Sequence, residues 1–174
     1  MRLVANISLL FTEVPLLERF QKAKDAGFQT VEIQFPYEEK PADLITAKEA
    51  ADVEVCLINL PAGDLTQGGE GLACVPGKEK QFELAIKQGL LYAKALGVKR
   101  VNVLPGRCEH AEKSEVYLEV FKKNLLKAAK VLAKQHIMVT FEAINTKDMP
   151  GFLIHSTQQM LDVLAELDHP NIKM

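Results

Sequence analysis

The chain has 174 residues, of which 48% are hydrophobic and 25% are charged, and its formal net charge is −2. This size and composition predict a single globular domain spanning residues 1–174. Charges of both signs are interspersed, which argues against nucleic-acid binding, and no apolar run approaches the roughly 20 residues that a bilayer requires. Because the N-terminus lacks the pattern of a signal peptide, we expect a cytoplasmic protein without membrane attachment.

Apolar stretches typical of strands alternate with amphipathic stretches typical of helices along the chain. The predicted strands are residues 3–7, 28–34, 53–60, 100–104 and 137–141, with the start of a sixth at 171–174. The predicted helices are residues 15–26, 41–52, 78–96, 114–135 and 157–167. A capping box of Ser156 and Gln159 begins the last helix. This alternation indicates parallel strands joined by helical crossovers.

The third strand is followed by a long connection, residues 61–77, which contains several glycines. Connections of this length inside a compact α/β domain are usually lids or binding loops. The glycines lack the spacing of a dinucleotide-binding loop and the ending of a Walker loop. The sequence therefore predicts a functional loop but no nucleotide cofactor.

The fourth predicted helix carries a row of lysines. We interpret this row as a solvated face, because charged rows on amphipathic helices usually face water and no anion-binding motif accompanies them. A pair between Glu119 and Lys123, four residues apart, would contribute only about 0.3 kcal/mol. The row comprises Lys122, Lys123, Lys127, Lys130 and Lys134.

The cysteines and histidines do not form a recognisable metal-binding or redox motif. Cys56, Cys74 and Cys108 include no CxxC pair, and the four histidines are isolated from one another. We expect Cys56 to be a small core residue of a strand. An odd number of thiols is typical of a reducing compartment.

Two architectures fit five β/α units and the start of a sixth strand. A doubly wound open sheet would be complete at this length, whereas a closed eight-stranded barrel typically needs about 200 to 250 residues or more. An incomplete barrel would leave a raw sheet edge. Composition and periodicity do not choose between the two.

In either architecture, ligands bind at the carboxyl ends of the strands, and the residues there are polar. Glu142 directly follows the fifth strand and is the candidate working acid. Each asparagine taken singly is more typical of a loop cap, but a set of asparagines with a carboxylate is typical of a sugar-type site. Arg107, after the fourth strand, is interpreted as an exposed loop residue. The strand-end set is Asn6, Ser8, Glu32, Gln34, Asn59, Asp64, Glu142 and Asn145.

Five segments of the chain, in order, resemble the hydroxypyruvate isomerase family of the xylose-isomerase-like (β/α)8 barrels. The segments are residues 5–11 (ANISLLF), 31–37 (VEIQFPY), 59–64 (NLPAGD), 71–78 (GLACVPGK) and 141–145 (FEAIN). Several motifs in register are far more specific than any one of them. The resemblance implies an incomplete TIM barrel, with five β/α units plus the start of strand six, in place of the open sheet.

The resemblance also implies an activity. Family members interconvert hydroxypyruvate and tartronate semialdehyde, or isomerise related oxo-acids such as 2-oxo-tetronate, through an enediol. Glu142 corresponds to the family's strand-five glutamate, which acts as catalytic base and ligands a divalent metal, Mg²⁺ or Mn²⁺. We expect Asn6, Asn59, Asp64 and Asn145 to bind the small oxo-acid substrate, and a homo-oligomer is a candidate assembly.

The family's remaining site residues have no counterpart in these 174 residues. They include a second glutamate ending strand eight and the metal ligands after strands six and seven. The resemblance thus covers the N-terminal two-thirds of such an enzyme. We therefore expect the isolated chain to be inactive as an isomerase, and the alternative is a non-catalytic truncated isoform acting as a binding or dimerising module.

Overall fold

The computed structural model describes residues 3–174, except for the side chain at position 111. The strands are β1 (Ala5–Asn6), β2 (Thr30–Ile33), β3 (Glu54–Asn59), β4 (Arg100–Asn102), β5 (Met138–Thr140) and β6 (Ile172–Lys173). The helices are α1 (Leu16–Asp25), α2 (Pro41–Ala50), α3 (Glu79–Leu96), α4 (Ser114–Ala133) and α5 (Thr157–Leu167). Short 3₁₀ helices, Leu65–Gln67 and Ala111–Lys113, lie in the connections after β3 and β4.

The six strands form one parallel sheet in which each strand pairs with the next one along the chain, in the order β1 to β6. A doubly wound sheet reverses its strand order at a switch point, whereas a barrel wall does not. The observed order is therefore that of a barrel wall. The open doubly wound sheet, left as an alternative by the strand pattern alone, is wrong.

Local sequence signals set several helix ends. In the capping box at the start of α5, the Ser156 hydroxyl accepts from the Gln159 backbone N–H, and the Gln159 side chain accepts from the Ser156 backbone N–H. Helix α3 ends at Leu96 and is capped by Gly97, whose φ of +72° is a left-handed conformation that glycine adopts without strain. The helix predicted at 157–167 is confirmed with both its ends.

The main core lies between the outer face of the sheet and the helices. The aromatic rings of Phe121 and Phe141 meet edge to face there, with centroids 5.8 Å apart. Alternation along each strand sends apolar residues outward into this core and polar residues to the inner face. Its outward-facing strand members include Ala5, Val31, Ile33, Ile58, Val101, Val139 and Ile172.

A second, smaller cluster lies over the carboxyl ends of the strands. It is built from Leu65, Leu104 and Phe152, with partly buried side chains around them. Leu65 belongs to the long connection and Phe152 to the connection after β5, so this cluster packs the loops against one another. The strand-end connections are thereby fixed above the sheet.

The structure corrects the interpretation of the lysine row on α4 at one residue, Lys122. Lys122 is buried, with a relative exposure of 6%, and it contacts Glu119 of α4 and, at 2.5 Å, Glu166 of α5. Lys127 reaches across to Glu83 of α3. Lys122 is therefore not part of a solvated face, whereas Lys123, Lys127, Lys130 and Lys134 are exposed as interpreted.

The cysteines also depart from expectation. Cys56 is half-buried and lines a cleft at the amino ends of β3 and β4, so it is not a core residue. Cys74 lies in the long connection but is fully buried, and burial raises the pKa of its thiol to about 12. Among the helices of the described residues, none is long and apolar enough to cross a membrane.

Candidate active site

A cleft of about 470 Å³ opens at the carboxyl ends of the strands, on the inner face of the sheet. The period of two along each strand aims its polar members here, because their apolar neighbours face the helices. Because the parallel strands are in register, these side chains lie at the same height, near the carboxyl ends of the strands. The lining residues are Asn6, Leu9, Glu32, Gln34, Leu57, Asn59, Asn102, Thr140, Phe141, Glu142 and Met174.

Glu142 lies exposed in this cleft and is held by the side-chain amide of Asn102. The Asn102 Nδ2 donates to Glu142 Oε1 at 2.7 Å and to Asn59 Oδ1 at 3.1 Å. The Thr140 hydroxyl donates to Asn102 Oδ1 at 3.4 Å. Asn102 is itself buried, with 5% exposure, so its rotamer and amide orientation are fixed by these partners. One carboxylate oxygen of Glu142 is therefore oriented by a rigid strand residue.

The floor of the cleft, formed by Asn59, Asn102 and Glu142, is also held by contacts to the backbone of Asn59. The Tyr37 hydroxyl donates to the backbone carbonyl of Asn59 at 2.5 Å, and Tyr37 packs edge to face on Tyr92 of α3. Burial raises the pKa of Tyr37 far above its ordinary value, so the phenol stays a neutral donor. Asn59 is thus fixed through both its backbone and its side chain.

Glu32 brings a second carboxylate to the same cleft. Burial raises the pKa of Glu32 above its ordinary value, the side-chain hydrogen bond from Asn6 lowers it, and the charge of Glu142 raises it. Asn6 is in turn oriented by its Oδ1, which accepts from the Ser8 backbone N–H at 3.0 Å. The cleft therefore holds two carboxylates in different environments, of which Glu32 retains its proton to higher pH than an ordinary glutamate.

The structure brings Asn6, Asn59 and Glu142 together, but Asp64 and Asn145 lie outside the residues that line the cleft. Asp64 Oδ1 accepts from the Gly71 backbone N–H at 2.8 Å, and its Oδ2 lies 3.6 Å from Lys78 Nζ. Asp64 therefore closes the long connection on itself. Its role in substrate binding stays a prediction.

Asn145 makes the contacts of a loop cap. Its Oδ1 accepts from the backbone N–H groups of Lys147 and Asp148, each at 3.0 Å, and its Nδ2 donates to Asp148 Oδ2 at 2.7 Å. This is the side-chain turn that asparagine commonly makes. A contact with substrate also stays a prediction for Asn145.

Asn102 and Glu32 were not placed in the predicted substrate-binding set. Asn102 carries a detectable signal, because it stands between Val101 and Val103 in an apolar strand and so must face the opposite side of the sheet. Arg107 is half-buried rather than exposed. Its backbone N–H donates to the Glu70 carbonyl at 2.9 Å and its guanidinium donates to the Gly68 carbonyl at 3.2 Å, so it braces the long connection.

The donor atoms of the cleft suit a hard divalent cation in kind, since carboxylate and amide oxygens are preferred by Mg²⁺ and Mn²⁺. However, the described residues supply too few of these groups to complete a metal site. Over residues 3–174, no group of three or more histidine, cysteine, aspartate or glutamate side chains could hold a metal ion. Glu142 Oε1 and Asn59 Oδ1 are moreover already engaged by Asn102.

Comparison with known proteins decides the family. Residues 20–174 match the family model described as xylose isomerase-like TIM barrel. The chain belongs to this family. The resemblance inferred from the five sequence segments and the barrel-type fold are both confirmed.

The relatives of the chain include named isomerases. It is 38% identical over 174 residues to the hydroxypyruvate isomerase of Escherichia coli, covering 100% of this chain and 67% of that protein. It is 35% identical over 177 residues to a 2-oxo-tetronate isomerase of Cupriavidus necator, covering 99% of this chain and 66% of that protein. The chain thus spans about two thirds of the length of these relatives.

Solved structures agree with the fold. The crystal structure of an AP endonuclease, family 2, from Brucella melitensis has a TM-score of 0.93 and 33% identity, and the match covers 99% of this chain and 67% of that one. A more distant structure, the IOLI protein with a bound zinc atom, has a TM-score of 0.73 and 14% identity, over 100% of this chain and 62% of its own. The second likeness shows the fold alone.

Proposed function

We propose that the chain forms the Glu142-bearing part of a hydroxypyruvate isomerase, an intramolecular aldose–ketose isomerase that interconverts hydroxypyruvate and tartronate semialdehyde. The observation that carries the proposal is the exposed Glu142 carboxylate, held by Asn102 in the strand-end cleft. The 38% identity to the Escherichia coli enzyme along the whole chain supports it.

The chemistry needs one base that takes a proton from carbon and returns it to the neighbouring carbon. Glu142 removes a proton from the hydroxymethyl carbon of hydroxypyruvate, which leaves an enediolate. The hydroxyl proton moves between the two oxygens, and Glu142 returns its proton to the former ketone carbon. The product is tartronate semialdehyde, with no atom gained or lost.

The other residues of the cleft serve binding and proton exchange in this proposal. Asn6 and Asn59, which line the cleft, would contact the substrate oxygens. Glu32, which keeps a proton more readily than an ordinary glutamate, is placed to exchange the hydroxyl proton. Asp64 and Asn145 are kept as substrate-binding candidates, and they would reach the substrate only if their loops moved inward.

A divalent metal, Mg²⁺ or Mn²⁺, is part of the proposal. When bound, it would stabilise the negative charge that develops on the substrate oxygens. Glu142 would be one of its ligands, and the other ligands would have to come from outside residues 3–174, since those residues hold no metal-binding group of three.

We further infer a cytoplasmic protein. The cysteine count of three supports this, because an odd number of cysteines is typical of a reducing compartment.

The first test assays the purified 174-residue chain with hydroxypyruvate and Mg²⁺ or Mn²⁺. We expect no turnover, because residues 3–174 hold no metal-binding group of three and lack the second glutamate that the family resemblance implies. Turnover that requires metal and disappears in Glu142→Gln would contradict this expectation while supporting the assignment of Glu142.

The second test joins residues 1–174 to the C-terminal third of the Escherichia coli hydroxypyruvate isomerase. We expect the chimera to isomerise hydroxypyruvate and Glu142→Gln to abolish the activity, with Glu18→Gln on the exposed face of α1 as the matched control. A folded chimera that converts no oxo-acid would contradict the proposed function.

A second candidate is isomerisation of 2-oxo-tetronate, favoured by the 35% identity to the Cupriavidus necator enzyme, which is close to the identity with the hydroxypyruvate isomerase. The two substrates differ by one hydroxylated carbon. Assaying the same chimera with both compounds separates the candidates, since the preferred substrate has the higher kcat/KM.

A further inference from the structure

The outer face of α3 carries a narrow stripe of alternating lysines and leucines. Successive members are separated by four, three, four and three residues, which places all five on one side of the helix. The leucines are the unusual feature, because Leu84 is 63% exposed and Leu91 is 56% exposed. We name this surface the α3 stripe; it comprises Lys80, Leu84, Lys87, Leu91 and Lys94.

A groove with the complementary character lies between α4 and α5. It has a volume of about 180 Å³ and more apolar than polar lining. Leu118, Leu153, Ile154 and Val163 contribute the apolar side chains. The acidic residues Glu115, Asp162 and Glu166 also line it. We name this surface the α4–α5 groove.

The groove is held in shape by the buried Lys122. Its ammonium group pairs with Glu119 on its own helix and with Glu166 of α5, and the second ion pair ties α5 to α4. The four acids, Glu115, Glu119, Asp162 and Glu166, against the one lysine leave a net charge of −3 around the groove. The three lysines of the α3 stripe carry the opposite charge.

We propose that the chain binds a second copy of itself by seating the α3 stripe of one copy in the α4–α5 groove of the next. Leu84 and Leu91 enter the apolar part of the groove, and the stripe lysines meet its acidic rim. Two stripes facing each other would instead bring lysines together, so a stripe-to-stripe contact is disfavoured. The contact is head-to-tail, and it leaves one stripe and one groove unused at the ends of each assembly.

This arrangement predicts a specific response to concentration and salt. Sedimentation velocity of the 174-residue chain should show species heavier than the monomer that grow with protein concentration and shrink as NaCl is raised, because the charges that meet are at the surface. The proposed self-association does not depend on isomerase activity, so its test is independent of the outcome of the enzyme assays.

The decisive experiment uses two variants that each disable one surface. The stripe variant carries Leu84→Asp and Lys87→Glu, and the groove variant carries Glu115→Lys and Asp162→Lys. We expect each alone to lose the heavier species. An equimolar mixture should form a capped heterodimer and nothing larger, because the intact groove of one variant accepts the intact stripe of the other.

The control and the contradicting outcomes are equally specific. Lys22→Glu, an exposed charge reversal on α1, should sediment like the unaltered chain, and circular dichroism should show all variants folded. The proposal is overturned if the unaltered chain stays monomeric at every concentration. It is also overturned if both variants still associate, as expected of pairing through the strand edges, or if the stripe only binds anionic lipid vesicles.

Discussion

The polar residues that follow the strands fall into two regions with different behaviour. On the cleft floor, Asn59, Asn102 and Glu142 are linked to one another across three strands. In the loop layer above it, formed by residues 61–77, 105–108 and 149–153, polar groups mostly bond to the loops themselves. Strand periodicity dictates where the side chain of a floor residue points, whereas a loop side chain can form its hydrogen bonds with the nearby loop backbone. The floor therefore presents polar groups to the cleft, whereas the polar groups of the loop layer mainly hold the loops together.

The largest expected effect is in the loop layer, at the point where two loops touch. Gly106 has a φ of +105°, and a Cβ there would lie 2.6 Å from the Glu70 carbonyl oxygen and 2.9 Å from the Cys74 sulfur. Gly106→Ala should cost about 3 kcal/mol or more of unfolding free energy, since backbone strain and a clash with backbone add. Urea denaturation measures this.

Gly27→Ala is the matched control for Gly106→Ala. Its φ of +91° is also left-handed, but nothing lies within 4 Å of the added Cβ. It should cost only the conformational penalty of about 1–2 kcal/mol. Equal losses in the two variants would show that the loops separate freely, so the loop layer would not be fixed above the sheet.

The next effect concerns the cleft floor. Asn102→Leu keeps the volume but leaves the Asn59 amide oxygen and the Glu142 carboxylate without their donor. We expect a loss of about 1–3 kcal/mol, typical of a buried acceptor left unsatisfied. Asn145→Leu, in an exposed loop turn, should cost about 1 kcal/mol or less. If thermal unfolding gave the reverse order, the distinction between floor and loop layer would be lost.

A smaller effect is expected at Asp64, which closes the long connection. Asp64→Ala removes the acceptor of the Gly71 N–H and a 3.6 Å contact with the half-exposed Lys78, for about 1 kcal/mol. Amide hydrogen exchange should quicken at residues 68–71, and Asp64→Asn should restore protection because it keeps an acceptor oxygen. Unchanged exchange in Asp64→Ala would show that the Arg107 contacts alone order the connection.

The sequence predicted most of the fold and the core of the cleft because both follow from local periodicity. The capping box fixes α5, and alternation along β1, β3 and β5 directs Asn6, Asn59 and Glu142 to one side. Asp64 and Asn145 were harder to judge, since aspartate and asparagine suit a loop cap and a ligand contact equally. Lys122 depends on Glu166, 44 residues away, and no local pattern reports such packing.

The smallest effect is the pH dependence that Glu32 brings to the cleft floor. Burial, followed by the charge of Glu142, raises its pKa in the folded chain, while the Asn6 hydrogen bond opposes the shift. The folded state therefore binds more protons than the unfolded state between the two pKa values. Its contribution to stability is fully present below the unfolded pKa and is lost as pH rises through the folded pKa.

Glu32→Gln should remove this loss, so the variant gains stability relative to the unaltered chain as pH rises from acid to neutral. Urea denaturation at a series of pH values tests this, with Glu18→Gln on α1 as the exposed control. A parallel pH dependence in Glu32→Gln and the unaltered chain would contradict the raised pKa of Glu32 in the folded chain.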